Sequence, residues 1–226
     1  MRSLKLLRLV FLFTEILLLS DAFAAASSGR HESGPRSDGP ARAGSARPAS
    51  DPNAPPAKPL PSRDELVNSA YLDASSILSE ENECSRFFGG PDAALTVLTR
   101  LAAQLHRTRL APGVGIRMYG HVTDFSDPSH GFSYRLFDKA VVNIDGPFSS
   151  RRSFSNEPPV RNVGGFQPDT REARVLMLLH EIGHLISGPD KNWLLPNDGG
   201  DDEQSEKNTR LVESKCGEQI RALRNR

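Results

Sequence analysis

The chain has 226 residues, a formal net charge of +0 and 37 % hydrophobic residues, which suits one folded domain with an ordinary core. This balanced charge is not typical of a nucleic-acid groove or a polyanionic tail. We therefore expect no nucleic-acid partner.

The N-terminus has the three parts of a secretory signal. Residues 1–8 include basic side chains, residues 9–19 form an apolar run, and residues 22–25 are mostly small. The run is shorter than a membrane-spanning helix needs, and Glu15 inside it is unfavourable in a bilayer. These features predict a signal peptide at residues 1–24 and an exported protein, periplasmic or extracellular. Stable membrane insertion would require that the signal stays uncleaved.

The next segment has the composition of a linker. Residues 25–61 are rich in Ala, Ser, Pro and Gly and contain almost no large apolar side chain. Ordering this backbone would cost conformational entropy without burying apolar surface in return. We predict a disordered linker over residues 25–61, followed by one folded domain over residues 62–226.

Two helices begin the predicted domain. Ser62 and Glu65 form a capping-box pattern ahead of apolar residues at helical spacing, which predicts the first helix. Pro91 and Asp92 begin the second helix, since proline is favoured at the first helical position. The domain therefore starts with two helices before any strand.

A small sheet is predicted after these helices. Residues 114–154 contain β-branched and aromatic side chains separated by turn residues. The predicted strands cover residues 115–119, 132–137 and 140–144.

Two more helices follow a loop at residues 149–168. Asp169 and Glu172 form a capping-box pattern for a helix near residues 170–187, and the last helix covers about residues 202–223. Helices, a small sheet and further helices in this order predict an α+β fold.

The sequence contains two cysteines, Cys84 and Cys216. An exported chain passes through an oxidising compartment, where such a pair can form a structural disulfide. The alternative is two unpaired buried thiols in a reduced protein. The export signal favours the Cys84–Cys216 disulfide.

The predicted helix near residues 170–187 contains the sequence His180-Glu-Ile-Gly-His184. Residues four apart project from the same face of a helix, so both imidazoles can bind one metal ion, which we expect to be Zn²⁺. Glu181 lies at the flank of that face, where it can accept a proton from a water molecule held at the metal. The motif predicts hydrolysis of a carbonyl compound with Glu181 as general base.

This stretch resembles the zinc-binding helix of the zincin metallopeptidases, whose motif is His-Glu-any-any-His. The resemblance implies a zincin-like fold, in which the helix packs under a small sheet whose edge strand holds an extended peptide or protein substrate. It also implies a third metal ligand downstream of His184. The segment from residue 194 to Cys216 is similar to a group of uncharacterised exported bacterial proteins. This similarity implies no particular substrate.

Three aspartates compete for the place of third ligand. Asp190 has the spacing of the metzincin ligand, but Ser187 stands where that pattern requires glycine. Asp202 lies on the buried stripe of the last helix but can also cap it. Asp198 has no structural task beyond its turn, and the glycines after it would let its backbone approach the ion closely. We hypothesise Asp198 as the third ligand, with Asp202 and then Asp190 as alternatives.

The other chemically interesting side chains favour structural interpretations. His121, His130 and Tyr134 could donate to an oxyanion, but such residues near strand ends are more often surface or core groups. His106 is placed at the end of the second helix, where a cation suits the helix dipole. Trp193 is expected to anchor the loop after the zinc helix on the core.

Two classes of function remain open. The main hypothesis is a zinc-dependent hydrolase, most simply a peptidase, although hydrolysis of other amides would use the same chemistry. The alternative is a non-catalytic exported scaffold or binding module with a structural or vestigial zinc helix. A structural zinc site is closed by four protein ligands, whereas a catalytic one keeps an open position beside a base such as Glu181.

Overall fold

The computed structural model describes residues 64–111, 113–128, 130–151, 159–188, 190 and 192–225. The predicted signal peptide and linker lie outside these residues. The described part of the chain contains five α-helices and one three-stranded sheet, which confirms the predicted α+β class. No helix in this part is long and apolar enough to cross a membrane.

The elements follow one another as helices, sheet and helices. Three helices come first: α1 (Glu65–Leu78), α2 (Glu83–Phe87) and α3 (Pro91–Gln104). The strands are β1 (Leu105–Thr108), β2 (Ile116–Asp127) and β3 (Phe132–Asn143). Two long helices complete the fold, α4 (Arg171–Leu185) and α5 (Asp202–Ala222), and a 3₁₀ turn (Leu223–Asn225) follows them.

Helix α2 corrects the prediction of two N-terminal helices. It has only five residues, too few to display a helical apolar period. Its start is nevertheless well defined, because Asn82 and Ser85 form a capping box in which each side chain accepts from the other's backbone nitrogen.

The N-caps of α1 and α4 differ from the predicted ones. Asp64 caps α1 by accepting from the backbone nitrogens of Leu66 and Val67, whereas Ser62 lies outside the described residues. Thr170, and not Asp169, caps α4. Both corrections are small, because Asp and Thr serve equally as N-caps and adjacent polar residues compete for that position.

The sheet has the order β1-β3-β2, with β1 parallel and β2 antiparallel to β3. The prediction missed β1, because its four residues contain charged and polar side chains and continue directly from α3. It also divided β3 in two at Asp138, which in fact stays within the strand. There the carboxylate of Asp138 accepts from the backbone nitrogen of His121, at an irregularity in the pairing of β2.

Helix α4 forms the centre of the core. Its apolar side chains are fully buried on several faces of the helix, and it packs against α1, α3, α5 and β3. These side chains are Val175, Leu176, Leu178, Leu179, Ile182 and Leu185. The helix that contains the His-Glu-Ile-Gly-His motif is therefore a rigid element and not a surface segment.

A disulfide joins α2 to α5. The sulfur atoms of Cys84 and Cys216 are 2.00 Å apart, and the two residues are separated by 132 positions in the sequence. Both side chains are completely buried. The bond therefore closes most of the described chain into one loop.

We expect loss of this disulfide to lower the free energy of unfolding by about 2–5 kcal/mol, because the bond restricts a long loop in the unfolded chain. The measurement is urea unfolding of the full chain with and without reductant. The double variant Cys84→Ala/Cys216→Ala serves as control, since reductant should leave its transition unchanged. Identical midpoints for oxidised and reduced wild-type protein would contradict the expectation.

Candidate metal centre

His180 and His184 lie one turn apart on α4, and their rings face the same space. Their Nε2 atoms are 3.0 Å apart, and the two residues are only 6 % and 7 % exposed. The hydrophobic residues of α4 pack its other faces into the core, so this pair is held by a helix that cannot easily turn. Two imidazole nitrogens therefore converge at one buried point.

The chain then folds back over the end of α4. The backbone nitrogen of Leu195 donates to the carbonyl of Gly183 at 3.0 Å, and the backbone nitrogen of Leu194 donates to the carbonyl of Ile186 at 2.9 Å. A Cβ atom on Gly183 would lie 2.5 Å from a methyl carbon of Leu195. The glycine within the motif thus makes room for the returning segment, which leads towards the imidazoles.

Asp198 lies at the end of this segment and faces both histidines. Its Oδ2 is 3.1 Å from Nε2 of His180, and its Oδ1 is 3.4 Å from Nε2 of His184. One donor atom from each of the three residues lies within 4.8 Å of the others. The structure brings together the two histidines and the aspartate that the sequence hypothesis combined.

The competing aspartates lie in other environments. Asp190 is exposed and accepts from the backbone and side-chain nitrogens of Asn192. The side chain of Asp202 is 88 % exposed and lies 3.4 Å from Arg161. Among the described residues, neither belongs to the group of potential metal ligands at the histidines.

The glycines after Asp198 have a different role from the one expected. Gly199 and Gly200 have φ angles of 57° and 88°, and a Cβ on either would meet no atom within 4 Å. They are therefore needed for a left-handed turn and not for close approach of the backbone. This turn leads directly into the N-cap of α5, Asp201.

The three side chains fit a divalent metal ion. Nitrogen and oxygen ligands at about 2.0–2.1 Å from a tetrahedral ion lie about 3.3–3.4 Å from one another. Nε2 of His180 lies 3.0 Å from Nε2 of His184 and 3.1 Å from Oδ2 of Asp198, close to this value, and one ligand atom from each of the three residues lies within 4.8 Å of the others. The cluster can therefore hold one ion with a modest outward adjustment.

Charge also favours a cation at this position. Burial alone would raise the pKa of Asp198, but hydrogen bonds from His180 and His184 outweigh it and hold that pKa far below its usual range. Burial lowers the pKa of His184, yet its contact with Asp198 and the charge of Glu181 make the net shift upward. The carboxylate of Asp198 thus stays ionised and attracts positive charge, from a proton or from a metal.

Glu181 lies beside this cluster. Part of the residue reaches the surface, but burial of its carboxyl group raises its pKa, against the opposing effect of the two histidines. A carboxylate with a raised pKa is a stronger base than an ordinary glutamate. Its position and its basicity both suit proton transfer near the cluster.

Two residues of α5 that the sequence analysis did not select contact the cluster. Thr209 Oγ1 lies 3.0 Å from Nδ1 of His180, and the side-chain nitrogen of Asn208 donates to Asp198. Asn208 is 2 % exposed. The available signal in the sequence was an asparagine four residues before Val212, on the same helical face, because a buried amide requires polar partners nearby.

The comparisons with known proteins add no relative. The chain matches no protein-family model, no curated protein and no solved structure.

The other histidines among the described residues lie outside the group of potential ligands. His106 belongs to β1 and not to the end of a helix as predicted, because the chain becomes extended at Leu105. His121 is exposed on β2. His130 is exposed in the turn between β2 and β3, with its Nδ1 3.0 Å from Asp127.

We expect the pKa of His130 to lie above its ordinary value, chiefly because of the hydrogen bond to Asp127. The protonated pair then stabilises the fold fully below the unfolded pKa of 6.5, and this contribution is lost as pH rises through the folded pKa. An NMR titration should show a lower pKa for His130 in Asp127→Asn and no change in the control Asp124→Asn. Equal values in wild type and Asp127→Asn would contradict this.

Tyr134 and Trp193 serve the packing around the site. The ring of Tyr134 stacks on Phe125 at 5.0 Å and lies under the guanidinium of Arg100, an environment typical of an aromatic cluster. Trp193 lies under Arg135, with 4.0 Å from the guanidinium carbon to the ring centre. Arg135 in turn donates to the backbone carbonyl of His184. These contacts agree with the interpretation of Trp193 as an anchor for the loop after α4.

Proposed function

We propose that the protein is an exported zinc-dependent hydrolase that cleaves peptide bonds. In this proposal His180, His184 and Asp198 bind the ion, and Glu181 is the general base. The single observation that supports it most strongly is that ligand atoms of these three residues converge beside the buried carboxyl group of Glu181, which lies on the same helix as the two histidines.

The donor set favours zinc over other common ions. Two imidazole nitrogens and one carboxylate oxygen are the ligand types of many catalytic zinc sites. Magnesium and calcium prefer sites built from oxygen atoms, which this cluster does not offer. The residues therefore fit Zn²⁺ better than a hard divalent cation.

A bound Zn²⁺ would supply Lewis acidity, which lowers the pKa of a water molecule and polarises a carbonyl group. The side chains of the protein supply the remaining functions. Glu181 accepts the proton of the attacking water and can return it to the leaving amine. The burial of both histidines excludes bulk water from one side of the site and strengthens these electrostatic interactions.

The number of ligands separates the catalytic from the scaffold hypothesis. A structural zinc site is closed by four protein ligands, whereas a catalytic site uses three and keeps one position open. Among the described residues, the group at the histidines has three members, none of them Glu181. This count and the adjacent base favour a hydrolase over a non-catalytic exported module.

Export is proposed from two features. The N-terminal sequence has the composition of a secretory signal, and the buried Cys84–Cys216 disulfide suits an oxidising compartment. A periplasmic or extracellular location would also give access to peptide or protein substrates.

The proposal is tested by metal analysis of the purified full chain, combined with cleavage of a broad peptide library with and without chelator. We expect about one zinc per chain and cleavage that chelator abolishes and added Zn²⁺ restores. Zinc binding without cleavage of any peptide would favour the scaffold hypothesis. Absence of bound zinc at saturating metal would reject the metal site itself.

A further inference from the structure

We propose that Asn208 and Thr209 of α5 are positioning residues that hold the first and third metal ligands ready for the ion. This inference rests on the proposed metal site. Consecutive residues of one helix contact His180, from α4, and Asp198, from the loop before α5. Helix α5 would therefore determine the geometry of the site without supplying a ligand.

Thr209 determines which nitrogen of His180 carries the proton. The hydroxyl of Thr209 donates to the backbone carbonyl of Ser205 at 2.9 Å. Its single hydrogen is thereby used, so Oγ1 can only accept from Nδ1 of His180, 3.0 Å away. Nδ1 must then be protonated, so loss of the Nε2 proton that His180 donates to Asp198 leaves a lone pair on Nε2 directed at the cluster. This is the tautomer that binds a metal through Nε2.

The second histidine has a different environment at Nδ1. Among the described residues no side chain hydrogen-bonds to this buried atom of His184, although the backbone of Leu195 lies near the ring. Within the described residues, a side-chain hydroxyl at Nδ1 is therefore a feature of His180 and not of His184.

Asn208 holds the carboxylate of Asp198. Its side-chain nitrogen donates to the carbonyl of Pro196 at 2.9 Å and to Oδ1 of Asp198. Its side-chain oxygen accepts from Gln204 at 2.9 Å. Because the amide nitrogen has two acceptors and the amide oxygen has one donor, the orientation of the Asn208 amide is fixed. Asn208 donates to Oδ1, whereas Oδ2 is the oxygen that lies 3.1 Å from Nε2 of His180.

Asn208 belongs to a buried network of hydrogen bonds. Asn208 is almost fully buried, and each of its polar atoms has a partner. A satisfied polar network of this kind is rigid, because moving one member leaves another without its hydrogen bond. Outer partners of metal ligands typically contribute about 10–100-fold to metal affinity.

The test is zinc affinity of the full chain, measured by competition with a chromophoric chelator. We expect Thr209→Val and Asn208→Leu to bind zinc about 10–100-fold more weakly. Thr209→Ser keeps the hydroxyl and should bind like wild type. Ser214→Ala, an exposed position on the same helix, is the matched control and should also be unchanged.

A second readout separates positioning from simple stability. Nitrogen NMR of the metal-free protein should show His180 protonated at Nδ1 in wild type and Thr209→Ser, and a mixture of tautomers in Thr209→Val. Unfolding of each metal-free variant shows whether it is folded during the affinity measurement. Folded variants with wild-type zinc affinity would overturn the positioning role, whatever their stability.

The two proposals fail in different ways. If wild type binds zinc and both variants bind it equally well, the metal site stands and the role of α5 is wrong. If wild type does not bind zinc, the proposed function fails, and the positioning role fails with it.

Discussion

Replacement of Glu181 with Gln is expected to reduce peptide hydrolysis by at least about 10²–10⁴-fold while zinc stays bound. The amide cannot accept a proton from water, whereas His180, His184 and Asp198 are unchanged. The measurement is kcat and KM on a peptide found by library cleavage, together with zinc content. A loss confined to kcat would indicate that the missing interaction belongs to the transition state.

Glu206→Gln provides the matched control for this experiment. Glu206 is exposed on α5 and pairs with Arg210 at 2.6 Å, away from the cluster. Its replacement should leave both activity and zinc content unchanged. If Glu181→Gln loses zinc and activity to the same degree, Glu181 supports the site structurally and is not the base.

Replacement of Asp198 with Ala is expected to lower zinc affinity by more than about 100-fold. This loss exceeds the one expected for Asn208→Leu or Thr209→Val, because Asp198 is itself a proposed ligand. It removes one of three ligand atoms and the negative charge that offsets the ion. It also leaves the side-chain nitrogen of Asn208 without one acceptor, so some loss of stability should accompany it.

The rival ligands supply the controls for Asp198. Asp190→Ala and Asp202→Ala remove exposed carboxylates that lie against Asn192 and Arg161, and both variants should bind zinc like wild type. Near-native affinity in Asp198→Ala would move the third ligand to whichever variant loses the ion. Near-native affinity in all three would show that the ligand is a different residue.

Several parts of the fold could be predicted from local sequence. Helices α4 and α5 were predicted to within about two residues, because each has a long apolar stripe at helical spacing and a polar residue at its start. Short elements could not be predicted. Strand β1 has four residues with two charged or polar side chains exposed, and its extended form depends on pairing with β3.

The candidate site also combines features that follow from local sequence with features that depend on the fold. The spacing of His180 and His184 places both rings on one helical face, which follows from helix geometry alone. Asp198 could be placed only as one of three aspartates, because its approach depends on how the loop folds back onto Gly183. Thr209 and Asn208 were not selected, because nothing local shows that their face of α5 meets the histidines.

Elements with a local cause can be predicted from the residues alone: the buried helix with two histidines one turn apart, Glu181 beside them, and the capped last helix. Which carboxylate meets the histidines, and which side chains of α5 contact the site, depends on the tertiary structure. Local periodicity sets the direction of a side chain from its own helix, whereas contacts between α4, the returning loop and α5 depend on packing of the whole core. The Cys84–Cys216 bond lies between these cases, since two cysteines leave one possible intramolecular pair but only the fold brings them together.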